Sequence, residues 1–191
     1  MKTTTQTAST ASAEKRYPMR YVPKMLTPED NQKQRDMLLK SKNEYEKGVY
    51  YTREKLASFK NKKSGHVANA RKIYNIETLT PSKELALKTG CSLEALLRIV
   101  KKGEGAYFSS GSRPNQTAQS WGLARLASAL TAGKAAAVDY KIIEAGCNHK
   151  KKAFILANKA KKKYKDGHSS AKKTPKPTKQ PKQPKPPKSA K

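Results

Sequence analysis

Apolar residues recur at helical spacing through most of the chain, and no extended β-branched run alternates as a half-buried strand would. Thr27-Pro28-Glu29-Asp30 reads as a helix start, with a threonine N-cap, proline at the first helical position and acids in the first turn. The spacing predicts a helix to about Lys47, ahead of Gly48. Its apolar positions, Met37, Leu38 and Tyr45, are sparse, so this helix should cover the core from outside. A mixed stretch follows, with Tyr50, Tyr51, Leu56 and Phe59 leading into the basic Lys60-Asn61-Lys62-Lys63. Val67, Ala70, Ile73 and Tyr74 then recur at helical spacing and predict a short helix over about 65–74.

The sharpest local pattern is SKELALKTGCSLEALLRIVKKG, residues 82–103. Thr80-Pro81-Ser82 opens a helix with Leu85 and Ala86 on its inner face. Gly90 falls four residues after Ala86, where a tight turn favours a residue tolerating positive φ. Ser92 caps a second helix whose Leu96 and Ile99 point back at the first. This is the spacing of a DNA-binding helix-turn-helix, whose second helix enters the major groove. Arg98, Lys101 and Lys102 are its candidate nucleic-acid contacts, although the helix offers no Asn or Gln for adenine. The alternative is an αα-hairpin that serves packing alone.

Gly103, Gly105, Ser109 to Ser112, Arg113, Pro114, Asn115, Gln116 and Thr117 read as a small, donor-rich loop around Tyr107 and Phe108. Two helices should follow, at about 117–132 with Trp121, Leu123, Leu126 and Leu130, and at about 134–145 after Gly133. Free amides, hydroxyls, Arg113 and a helix N-terminus would together suit a phosphate. An alternative is a structured turn whose hydroxyls cap the Trp121 helix. Neither a Walker A loop nor a dinucleotide-binding fingerprint is present.

These elements add up to a mainly α fold: a small helical domain with a helix-turn-helix-like hairpin over residues 17–165. A disordered polar arm, 1–16, and a disordered Lys/Pro-rich tail, 166–191, should flank it. Charge changes the picture most. The chain carries a net +28 on 191 residues, a self-repulsion that calls for a polyanionic partner. Residues 172–191 hold eight lysines, six prolines and no acid, too little apolar material to order. Lys172, Lys173, Lys176, Lys179, Lys182, Lys185, Lys188 and Lys191 are therefore candidate phosphate contacts. Double-stranded DNA is the expected partner. A membrane is not, because no apolar run approaches the ~20 residues of a spanning helix and no lipidation signal is present. The N-terminus also lacks the apolar stretch of a secretory signal.

Cys91 and Cys147 are isolated in sequence and read as two buried apolar residues in a reducing compartment. No CxxC or second Cys/His pair completes a zinc site. His66, His149 and His168 have no acid and nucleophile beside them, and carboxylates are scarce, so neither an enzymatic activity nor a cofactor nor a metal is expected.

The phrases RYVPKMLTPEDNQKQ, KIYNIETLTPSKELALKTGCSLEALLRIVKKG and GEGAYFSSGSRPNQTAQSWGLARLASALTAGKAAAVDYKII, spanning Tyr17 to Lys163, resemble a family of small basic proteins from large nucleocytoplasmic DNA viruses of algae and amoebae. That family has no assigned activity, and no functional residue is carried over from it. The resemblance implies a virion component, in the core or at the inner face of the capsid, made in a host nucleus or cytoplasmic virus factory. Two functions follow as expectations. One is a non-enzymatic protein that binds or condenses viral double-stranded DNA through charge. The other is a minor capsid protein, a cement or scaffold beneath the shell, whose partners are capsid or core proteins.

Overall fold

Thr27 accepts from the Asp30 amide and Pro28 stands at the first helical position, which starts α1 (Pro28–Glu46) where the sequence places it. Seven more helices follow: α2 (Gly65–Tyr74), α3 (Lys83–Thr89), α4 (Leu93–Ser109), α5 (Ala118–Leu130), α6 (Lys134–Val138), α7 (Tyr140–Gly146) and α8 (Lys152–Tyr164). The computed structural model describes residues 16–61 and 64–165, and among them the fold is mainly helical with no β-strand. The expected arm, apart from Arg16, the expected tail and every candidate lysine from Lys172 to Lys191 lie outside the described residues.

α4 and α5 form the most extensive helix pair. Gly103 and Gly105, expected in a loop, instead lie inside α4. The reason for Gly103 is close packing. A Cβ on Gly103 would stand 2.6 Å from the Cα of Gly122 in α5, and one on Gly122 would stand 2.8 Å from the Val100 carbonyl oxygen. Backbones that near exclude any side chain at the crossing. The irregular loop is therefore only 110–117. Thr117 then starts α5 with a reciprocal cap, its hydroxyl taking the Ser120 amide while Ser120 takes the Thr117 amide.

The expected helix over 134–145 is broken at Asp139 into α6 and α7. Asp139 is 1 % exposed. It takes two hydrogen bonds from Arg125 (Nε 2.7 Å, Nη2 2.8 Å) and pairs with Lys102 Nζ at 2.8 Å. α8 has no counterpart among the helices expected from the sequence. Ala153, Ala157 and Ala160 form its buried stripe, with Lys159, Lys161, Lys162 and Lys163 outside.

The cysteines are bonded to each other, which corrects the reading of two separate thiols. The α3–α4 turn and the segment after α7 meet as an isolated antiparallel bridge. Ser92 N donates to Gly146 O and Asn148 N to Gly90 O, both at 2.7 Å. That pairing sets the two side chains against each other across 56 residues of chain.

Two apolar clusters result. The larger gathers residues from α2 to α8, including Leu85, Leu96, Ile99, Leu126, Leu130 and Ile143. The smaller joins Tyr17, Tyr21, Val22 and Leu26 to Met37 and Leu38 of α1 and Leu56, with Phe59 and Trp121 packed on it.

Candidate functional site

The smaller cluster is held by polar side chains that reach irregular backbone. Gln34 donates to Tyr21 O at 3.0 Å. Asn115, in the left-handed region at φ +58°, takes the Leu56 amide at 2.7 Å and donates to the Leu56 and Phe59 carbonyls at 3.0 Å. Arg53 is buried without a carboxylate beside it. Nη1 donates to Ser41 Oγ and Tyr107 O, each at 2.9 Å, and Nη2 to Ser112 Oγ at 2.7 Å, while the guanidinium lies 3.7 Å from the Tyr107 ring centroid. Loss of solvent lowers its pKa, opposed by the nearby tyrosines.

These bonds fix one wall of a cleft of about 600 Å³ between the segments at 20–25 and 59–61, the start of α2 and helices α5 and α6. Arg20, Lys60, Arg113, Arg125 and Lys134 line it together with Tyr21, Phe59 and Trp121, and among the described residues no carboxylate lines it. Arg125 is already matched by Asp139. Arg20, Lys60 and Arg113 are exposed and make no ion pair among the described residues. His66 Nδ1 sits 2.8 Å from Thr131 Oγ1 at the rim.

The loop ahead of α5 divides its donors. Thr117 caps α5, as the capping alternative expected, while Ser112 is committed to Arg53 and Asn115 to the backbone of Leu56 and Phe59, and the Arg113 side chain is left on the cleft. A helix-turn-helix-like hairpin is present in α3 and α4, with Gly90 at φ +72° and Leu96 and Ile99 buried. Its turn, however, is clamped by the disulfide. A Cβ on Gly146 would lie 2.4 Å from that of Ala95, so the end of α7 covers one side of the first turn of α4, the part of a recognition helix that meets base edges. Arg98 and Lys101 are exposed. Lys102, the third candidate contact, is tied to buried Asp139. None of these three lines the cleft, so the structure does not bring them together with Arg113.

Arg20, Lys60 and Lys134 were not singled out in sequence as site residues. Arg20-Tyr21 and Phe59-Lys60, each a cation beside an aromatic, were the local signal for two of them. Among the described residues, no cluster of three or more His, Cys, Asp or Glu could hold a metal ion, and no helix is long and apolar enough to cross a membrane.

No curated protein and no solved structure matches the chain. A family model does match, over residues 18–148. That span contains all of the cleft's lining residues and both cysteines, and ends before α8. With more than half of its length matched, the chain belongs to DUF5824, a family of unknown function.

Proposed function

We propose that this protein is a non-enzymatic nucleic-acid-binding protein that engages the phosphate backbone mainly through charge. The observation that carries the reading is the cleft: Arg20, Lys60, Arg113 and Lys134 on one concave surface, beside an Arg125 already offset by Asp139, with no carboxylate among the described lining residues. Carboxylates elsewhere in the fold are used to offset cations, as Asp139 does for Arg125 and Lys102 and Glu54 does for Lys33. Their absence from the cleft leaves a positive surface facing solvent, which an anionic chain would neutralise with release of counterions. The eight lysines from Lys150 to Lys165, with no acid among them, extend the same sign along and beside α8. The eight from Lys172 onward add to it whatever conformation they take. Double-stranded DNA packaged in a virion is the partner that the resemblance to large-virus proteins suggests.

The test is binding to a duplex of random sequence across a salt series. Strong binding at low salt should weaken steeply, and removal of residues 172–191 should flatten the slope of log affinity against log salt by roughly 3 to 4, from ~0.9 per phosphate contact if half the lysines engage. A slope untouched by the truncation would assign the tail to protein partners, such as capsid or core subunits. No measurable affinity for nucleic acid would overturn the proposal.

A further inference from the structure

We propose that the cleft receives one or two unpaired nucleotides of a single-stranded nucleic acid, a base lying against Phe59 and Trp121 with its flanking phosphates on Arg20, Lys60 and Arg113. This rests on the nucleic-acid reading and adds to the charge-driven contact with a duplex a second mode, in which an unpaired stretch enters the cleft. Three observations lead there.

The first is shape. A protein that reads a duplex inserts a helix or ribbon into a groove, whereas this surface is concave. Its volume of about 600 Å³ falls within the roughly 300–1,000 Å³ of sites that enclose a small molecule.

The second is chemistry. A surface that only neutralises phosphate needs no aromatic rings, yet three separate segments each bring one. Tyr21 meets Trp121 edge-on, with centroids 5.9 Å apart and planes at 73°, which braces the indole. Trp121 and Phe59 are only partly buried and line the opening. Unpaired bases stack on such rings whatever their identity, and a duplex hides the faces that would do so.

The third is the placement of charge and of neutral polar groups. Arg20 lies over the Tyr21 ring at 5.1 Å. Arg113 follows the buried Ser112, and Lys60 follows Phe59 directly, so each cation stands within one residue of a fixed part of the wall. Asn61 and Gln116 also line the cleft; Asn61 Nδ2 donates to Asn115 O and Gln116 Oε1 accepts from Ser120 Oγ, so the Asn61 carbonyl oxygen and the Gln116 amide NH2 are the uncharged groups that face a base edge.

Trp121 is the chain's single tryptophan, so its emission reports directly on the cleft. The full chain is titrated with an oligothymidylate, an oligouridylate of the same length, a blunt duplex and inorganic polyphosphate. The single-stranded oligomers should quench Trp121. Polyphosphate should bind with a similar salt dependence and leave the emission nearly unchanged. Phe59→Leu keeps apolar bulk and removes the ring, and should weaken oligomer binding about 5- to 150-fold, the effect of ~1–3 kcal/mol per stacked base, without altering polyphosphate affinity. Arg113→Gln should weaken both. Quenching by either oligomer supports the proposal, and the tighter of the two identifies DNA or RNA as the source. Equal quenching by oligomer and polyphosphate, stronger quenching by the duplex, or unchanged oligomer affinity in a Phe59→Leu protein of normal melting temperature would overturn the base site while leaving charge-driven binding intact. Failure of every nucleic acid to bind would overturn both.

Discussion

The two halves of this molecule are held together by different physics. The helical half, α2 to α8, buries aliphatic side chains at helical spacing, brings backbones together at Gly103 and Gly122, and closes with a disulfide. The other half consists of 17–26, α1 and 49–61. It buries few aliphatic residues and is joined by Gln34, Arg53 and Asn115, whose side chains replace the backbone pairing that irregular segments lack. A packed half resists deformation, since interiors of that kind tolerate little change in volume. A stitched half depends on a few polar groups and can present its backbone and rings at a surface. The cleft lies on the seam, with α5, α6 and the start of α2 as the packed wall and the 20–25 and 59–61 segments as the stitched one.

Breaking the packed half should cost most. Replacing both cysteines by alanine frees a 56-residue separation and should lower stability by roughly 4 kcal/mol on the loop-entropy account, read as a shift in denaturant midpoint. Leu96→Ala, at a side chain with no exposure, should lower it by about 2–5 kcal/mol. In the stitched half, Arg53→Ala leaves the Tyr107 carbonyl and two hydroxyls without their donor and should lower stability by about 1.5–3 kcal/mol. Arg53→Lys should not restore it, because an ammonium lacks the planar fork that reaches all three acceptors. Asn115→Gly keeps the left-handed backbone and removes the bonds to Leu56 and Phe59. About 1–2 kcal/mol should be lost, with faster amide exchange confined to residues near 56–59. If exchange rose equally through α4 and α5, the division into two halves would be wrong.

The smallest effect concerns acid. Hydrogen bonds from the Ser58 hydroxyl and amide hold the Asp30 carboxyl below its usual range. A depressed folded pKa contributes stability above the unfolded value, and that contribution is lost as pH falls through the folded one. Asp30→Asn should therefore be less stable than the parent at neutral pH, and the gap should close in strong acid. A gap of constant size across that range would assign the effect to shape rather than charge.

What was legible follows the same division. Caps and apolar periodicity are local, so the start of α1, the span 65–74 of α2 and the Ser82, Gly90 and Ser92 punctuation of α3 and α4 could be read directly. α1 looked sparse because its buried face, Gln34, Met37, Leu38 and Ser41, keeps helical spacing with half its letters polar. Gly103 and Gly105 looked like loop because the backbone crossing that makes Gly103 necessary lies on another helix. α8 was hidden by its lysines, since three alanines give little hydropathy signal. The disulfide and the Arg53 network join residues up to 59 apart, beyond any spacing rule. The cleft draws on at least three segments for the same reason, and of its cations only Arg113 was marked in sequence as a binding residue.

The central claim is that nucleic acid meets this protein at the seam and not on the α3–α4 hairpin. Hydrogen exchange of the full chain, with and without a saturating oligonucleotide, tests it most directly. The account predicts slowed exchange at 20–25, 59–61, 64–66 and 113–125. Protection confined to α4 around the exposed Arg98 and Lys101, with the cleft segments unchanged, would contradict it.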